Sequence, residues 1–267
     1  MSNPFSTAFL EQLKEKQKAP PASAAPDSPS APAAEAAAPE PSGDIREIKD
    51  AQGRLIQRIP FKDGKIDGVM ESYNPETEKL THKIPYSQGV IDGTVIAYDA
   101  HEKIIQEVPY VQGQKKGMAH FYHLGAKTAD LTFDQDQMNG PAIFYGPNEI
   151  IHTLATYKDG QFEGEFRAFD TKKNLLRYCT YTQGLLNGPS KLFYPSGDVP
   201  DKCKIFEECL YKDNKIQGQQ LQYFPDGILM RRTTYNADGK PIKEETFSSK
   251  GEKVSEKEID PSPPKAL

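Results

Sequence analysis

No tryptophan occurs in this chain, cysteine only three times in 267 residues, and no run of eighteen apolar residues anywhere. Each shortage closes off a class of protein. Three cysteines cannot build the disulfide framework of a small secreted domain. Without a long apolar run no helix is expected to span a bilayer. An excess of positive charge is missing too: the net charge is −5 and the isoelectric point about 5.6, so nothing global points to nucleic acid or to an anionic membrane. The opening residues, MSNPFSTAFLEQLKEK, have neither the basic start nor the apolar stretch of a cleaved secretory signal. The expectation is a cytoplasmic protein, with export routes that need no cleaved signal left open.

Apolar residues are scarcest between Ala19 and Ser42, where Ala, Pro and Ser fill 21 of 24 positions. Seven prolines in that stretch forbid a helix and almost nothing there can be buried, so residues 19–43 are read as a disordered linker. Extended at about 3.1 Å per residue it would reach on the order of 70 Å. Before it, in residues 1–18, Phe5, Phe9 and Leu13 recur every fourth position among Glu11, Lys14, Glu15 and Lys16. That spacing fits one short amphipathic helix turned toward a second partner, or else a frayed tail, since so short a helix is marginal alone.

What the chain does have, from residue 61 onward, is a repeat. An opening aromatic recurs as Phe61, Tyr86, Tyr110, Phe133, Tyr157, Tyr181, Tyr211 and Tyr235, at intervals of 25, 24, 23, 24, 24, 30 and 24. Three residues later stand Gly64, Gly89, Gly113, Asp136, Gly160, Gly184 and Asn214; seven later, without exception, Gly68, Gly93, Gly117, Gly140, Gly164, Gly188 and Gly218. Twelve later comes a second aromatic: Tyr73, Tyr98, Tyr122, Tyr145, Phe169, Phe193 and Tyr223. A fixed period near 24 marks an array of like units.

Asp and Asn, which tolerate positive φ best after glycine, replace it only in the first slot, so that slot is a left-handed turn position. The second slot takes glycine alone, which predicts close backbone approach together with an unusual dihedral. Extended runs and turn tripeptides follow: Gly146–Asn148, Pro195–Gly197 and Pro225–Gly227. Each unit therefore reads as one antiparallel β-hairpin, and the glycine pair hands the chain to the next. The ends differ. Asp44–Phe61 is a hairpin turning at Ala51-Gln52-Gly53 without the glycine pair, and the last unit has Ile242 and Lys243 where the second glycine should stand. Both are more charged than the inner units, as terminal caps of a solenoid must be. The fold class is all-β: an elongated single sheet of about nine hairpins over residues 44–260, with 261–267 a disordered tail. At about 4.8 Å per strand, eighteen strands would span roughly 80–90 Å.

The pattern Y-x-x-G-x-x-x-G-x-x-x-x-Y, with its Asp/Asn substitutions, resembles the variant form of the MORN repeat, common in bacterial multi-repeat proteins that include antitoxin and immunity components. The resemblance covers about Asp44 to Asp260. It implies a β-hairpin solenoid that binds partners: an antitoxin, immunity or effector-scaffolding role first. A membrane-surface adaptor, or an exported effector using its N-terminal arm as signal, is the alternative. The chain departs from the pattern in lacking tryptophan, in two substituted glycines and in a longer sixth unit.

Other motifs dissolve on inspection. Glycines four apart sit among Lys, Asp and Gln, not in an apolar helix. Neither phosphate-binding glycine signature occurs. Asp134–Gly140 is a linking turn, since Tyr145 stands where a calcium loop needs a bidentate Glu. His120 and His123 fall on opposite faces of a strand, while His82, His101 and His152 are dispersed, so no metal site is expected. Cys179 belongs in a packed strand. Cys203 and Cys209 could face each other across a hairpin or stay free thiols; the missing secretory signal favours free thiols. No nucleophile has an evident base, so neither enzyme activity nor a cofactor is expected. Asp44–Phe247 carries 26 basic and 29 acidic side chains, without the basic face that lipid attachment wants.

Positions nine and eleven after the opening aromatic trade volume, as in Val95/Ala97, Ala119/Phe121, Ala142/Phe144 and Phe166/Ala168, which is how a packed face fills. Positions ten and twelve share the other face. There a regular ring stands beside a changing neighbour, the arrangement by which a repeat scaffold presents a recognition groove. The candidate partner-binding residues are Tyr98, His120, Tyr122, Tyr145, Arg167, Phe169, Lys191, Phe193 and Tyr223. The same regularity also fits rings that only stack between hairpins.

Overall fold

The computed structural model describes residues 43–195 and 204–261. The expected docking segment 1–18, the linker up to residue 42, Cys203 and residues 262–267 lie outside the described residues. Among those described are 21 strands and one 3₁₀ turn, Pro147–Glu149. Apart from the first and the last, each extended line of the chain pairs antiparallel with the line before it and the line after it. Three of them, Lys65–Ile66, Val90–Ile91 and Gln114–Lys115, have two residues and are continued one residue further on. The 21 segments therefore lie as eighteen lines, the nine hairpins expected, in one open sheet roughly 80 Å across its strands.

Alternation sets the two faces. In Gln161–Phe169, Phe162, Phe166 and Ala168 are buried while Glu165 and Arg167 are exposed. The expected packed face is the buried one, with Ala97 1%, Ala119 0%, Ala142 2% and Phe166 3% exposed. Among the described residues no second layer covers it. Large rings from one hairpin lie over alanines of the next, and the opening aromatics join them: Tyr157 lies 4.6 Å from Phe162, and Phe162 lies 5.0 Å from Tyr181. Cys179 and Cys209 are buried free thiols on this face, on either side of Ser190.

The glycine pair does more than hand the chain on. Its first glycine belongs to a two-residue hairpin turn, as where Lys158 pairs with Gln161 around Asp159-Gly160. Both central residues are left-handed: Asp63, Gln88, Gln112, Gln135, Asp159, Gln183 and Asp213 have φ between 47° and 51°. These turns stack. The turn N–H of Gly89 donates to Ile66 O at 2.7 Å, Gly113 to Ile91 O at 2.7 Å, Gly160 to Met138 O at 2.9 Å and Gly184 to Phe162 O at 2.9 Å. Where Asp136 and Asn214 replace glycine, Oδ1 also accepts from the previous unit, from Lys115 N at 2.9 Å and Leu186 N at 2.7 Å. The second glycine corrects an expectation. Its close neighbour is a side chain rather than backbone: a Cβ on Gly93 would lie 3.0 Å from Pro85 Cγ, whereas one on Gly164 would meet nothing within 4 Å.

At the opposite edge most hairpins close with longer turns held by an Asp or Asn. Asp99 Oδ1 accepts from His101 N (2.7 Å) and Lys103 N (3.0 Å), and Asp170 Oδ1 from Lys172 N and Asn174 N, both 2.8 Å. The expected turns at Gly146–Asn148 and Pro225–Gly227 are present, closed by Gly146 N to Ile150 O and Phe224 N to Ile228 O, each 2.8 Å.

Candidate functional site

On the face opposite the packed one, the tenth position of each hairpin is cross-strand partner to the residue three before each opening aromatic. The pairings link into one row. From the N-terminal edge it runs Glu47, Arg58, Glu71, Lys83, Ile96, Glu107 and His120. It continues through Asp130, Ile143, Leu154, Arg167, Tyr178 and Lys191. Glu208, Leu221, Arg232, Glu245 and Glu256 complete it. Opposite charges stand beside one another through much of this row, and several touch: Arg58–Glu47 at 3.3 Å, Lys191–Glu208 at 3.2 Å and Arg232–Glu245 at 3.2 Å.

The structure brings two candidate residues, His120 and Tyr145, together on a carboxylate that the sequence left unremarked. Asp130 is 5% exposed; His120 Nδ1 lies 2.6 Å from its Oδ1 and the Tyr145 hydroxyl donates to its Oδ2 at 2.7 Å. Lys127 Nζ approaches the same carboxylate at 3.1 Å and lies 5.9 Å from the Tyr122 ring centre. Burial would push the Asp130 carboxyl up, but the contacts from His120, Tyr145 and Lys127 outweigh it and hold it below its ordinary value. Tyr122 is itself 5% exposed and donates to Glu107 Oε2 at 2.5 Å; burial first and Glu107 second push its phenol up. The Tyr145 phenol rises to about 12, by burial and then by Asp130.

Tyr122 and Tyr145 follow one rule with Tyr223, whose hydroxyl donates to Glu208 Oε1 at 2.8 Å. In each case the carboxylate lies fifteen residues before the phenol. The Tyr223 hydroxyl bond, then Lys191, hold Glu208 below its ordinary value against burial. Where the position fifteen before carries no carboxylate, at Leu154 and Tyr178, the ring is Phe169 or Phe193 and needs no acceptor. Tyr73 finds its carboxylate instead on Glu71, at 2.6 Å. Tyr73 and Tyr98 have Arg58 and Lys83 fifteen back, so the spacing holds for three of the five tyrosines; it is the sequence signal that would have found Glu107, Asp130 and Glu208.

The remaining candidates are spread along the face. Tyr98, Phe169 and Phe193 are half-buried, each just past a one-residue bulge, opposite Ile104, Leu175 and Ile205. Arg167 is exposed, paired with Glu165, which also accepts from the Tyr178 hydroxyl at 3.1 Å. From Leu154 to Lys191 the row holds no carboxylate, and Arg167, Tyr178 and Lys191 stand on successive strands. Among the described residues no group of three His, Cys, Asp or Glu side chains could hold a metal ion. No described helix is long and apolar enough to cross a membrane.

Residues 216–237 match the family model of the MORN repeat variant, over the strands that carry Gly218, Tyr223 and Tyr235. This repeat is a non-catalytic motif that generally binds proteins or membranes. No curated protein matches the chain. Among the solved structures that align with it are two described as "Crystal Structure of TcdB2-TccC3-TEV" and "Crystal Structure of TcdB2-TccC3 without hypervariable C-terminal region". Both are 12% identical, over 78% and 77% of this chain, with TM-scores of 0.19 and 0.20. The chain spans 13% of the length of each.

Proposed function

We propose that this chain is a non-enzymatic scaffold whose ladder face binds another protein, with the contact centred on Arg167, Phe169, Lys191 and Phe193. One observation carries the reading. Between Leu154 and Lys191 the row has cations and an aromatic but no carboxylate, and the two phenylalanines there have no hydroxyl tied to the ladder. A partner's acidic group displaces the exposed Glu165 from the Arg167 guanidinium, which can bind it with a two-pronged contact, beside rigid rings that lose little entropy on binding. Tyr98, His120, Tyr122, Tyr145 and Tyr223 extend this face, with Tyr122 and Tyr145 held inward by their carboxylates. The family resemblance makes an antitoxin, immunity or effector-scaffolding protein of bacterial, cytoplasmic type the role to test first, its partner a toxin or effector. The segment Phe5–Leu13 supplies a second docking point. Hydrogen exchange on the complex with whatever protein the wild-type chain retains is the test. New protection should fall on Gln161–Phe169 and Leu185–Phe193; protection confined to the hairpin tips would refute the reading.

A further inference from the structure

Among the described residues, the strands Asp44–Lys49 and Lys253–Glu258 are the two sides of the sheet with one partner strand each, and all their residues are exposed. They run in opposite directions. Asp44 lies opposite Phe61 at the tight-turn edge and Lys49 opposite Leu55 at the far edge. Lys253 lies opposite Phe247 at the far edge and Glu258 opposite Lys243 at the tight-turn edge. The C-terminal side of one copy is therefore antiparallel to the N-terminal side of a second copy placed beside it. Every neighbour in the sheet has that relation, and repeating it would give an open chain of molecules.

The ladder row fixes the register of such a junction. Glu47 and Glu256 are its two terminal members, so a lattice continued from one copy to the next sets Glu256 opposite Glu47. Antiparallel pairing then sets Lys257 opposite Arg46, Ser255 opposite Ile48 and Glu258 opposite Ile45. Within the two strands, both pairs in which two charges meet are pairs of like charge, which are destabilising when directly opposed on one face. Neither glutamate brings a spare cation to bridge the junction: Glu47 already holds Lys49 and Arg58, and Glu256 holds Lys243 and Lys253. A slip of two residues escapes these pairs but offsets the two sheets by about 7 Å along the strands, so the rows no longer meet.

We infer that the two ends of this solenoid form an end-to-end interface for a second copy of the chain, complete in strand direction and row alignment, and held apart by the like pairs Arg46/Lys257 and Glu47/Glu256. Exposed Ile45 and Ile48, 48% and 44% accessible, would otherwise make the N-terminal strand an invitation to pair. The inference concerns the ends of the sheet and stands apart from the role of the ladder face.

Charge exchange tests it. R46E/E47K should turn both like pairs into opposite pairs, and E256K/K257E should do the same from the other end. Light scattering over a concentration series should show either variant rising to at least twice the mean mass of the wild type, increasing with concentration. The quadruple variant R46E/E47K/E256K/K257E restores like pairs and should return to the wild-type mass. A cooperative thermal melt establishes that each variant is folded, and the two ends provide independent routes should one exchange unfold its strand. Folded exchange variants that keep the wild-type mass overturn the inference. So does a quadruple variant that assembles as strongly as the doubles, or a wild-type chain that already forms open-ended, concentration-dependent chains.

Discussion

The two faces of this single sheet are covered by opposite means. On the packed face, cover comes from volume: Ala142, Ala155 and Ala168 cluster with Tyr157, Phe162 and Phe166, and Phe144 packs against them. On the ladder face, cover comes from pairing of charges and phenols, as where His120, Tyr145 and Lys127 close over Asp130. Volume must be matched locally and tolerates no charge. A pairing ladder accepts any residue whose neighbour complements it, which is why position ten varies from Glu71 to Ile143 to Arg167 while the sheet stays the same. A scaffold that must change its contact surface without losing its fold would vary the second face.

The largest effect should come from violating the packed face. Ala142→Asp places a carboxylate at a site 2% exposed and should cost about 3 kcal/mol or more. That lowers the melting temperature by about 6–12 °C. Arg167→Glu on the other face should lower it by less than about 4 °C, because an exposed ion pair contributes about 1 kcal/mol or less. Equal losses would erase the distinction between the faces.

Next come the glycines, which separate two kinds of backbone demand. Gly93 has φ +116°, and a methyl group there would stand 3.0 Å from Pro85 Cγ, whereas Gly164 has φ +78° and open space. Gly164→Ala should cost about 1–2 kcal/mol from the dihedral alone. Gly93→Ala should cost clearly more in the same urea titration. Gly160→Asn should be nearly silent, since Asn214 already holds that turn position at φ 65°. If Gly164→Ala matched Gly93→Ala, the Pro85 contact would have no weight.

Repeat period, hairpin count, terminal caps and the division into faces were legible because each rests on spacing along the chain. The left-handed conformation of Gln88 and Gln183 was not, because glutamine carries no turn signal. Those turns are held from the previous unit, by Asp67 Oδ2 on Gln88 N at 3.0 Å and Glu163 Oε2 on Gln183 N at 2.9 Å. Nor was the Asp130 cluster, for a carboxylate fifteen residues from a tyrosine means nothing until the register of adjoining strands is known. Residues Arg167 and Lys191 could be placed on one face from parity alone, but only the strand register shows that no acid interrupts the row between them.

A smaller effect should sharpen the phenol rule. Tyr145→Phe removes one donor from a buried carboxylate and should cost about 1.5–2 kcal/mol by denaturant unfolding. Phe169→Tyr, whose position fifteen back is Leu154, should gain nothing and stay within about 0.5 kcal/mol. The same cluster sets a pH dependence. Asp130 is held below its ordinary 3.8 in the folded chain, so its stabilisation is present above that pH and is lost as pH falls through the folded value. Stability of the wild type should therefore fall below about pH 4 more steeply than that of Asp130→Asn. Parallel acid limbs would mean that Asp130 titrates alike in both states.

The most direct measurement is the affinity of Arg167→Glu for the protein that wild-type chain retains, taken beside its melting temperature. Loss of a central anchor typically costs about 2 kcal/mol, so the dissociation constant should rise roughly thirtyfold while the melting temperature falls by less than about 4 °C. A folded Arg167→Glu chain that binds as tightly as wild type would contradict the ladder face as the contact surface.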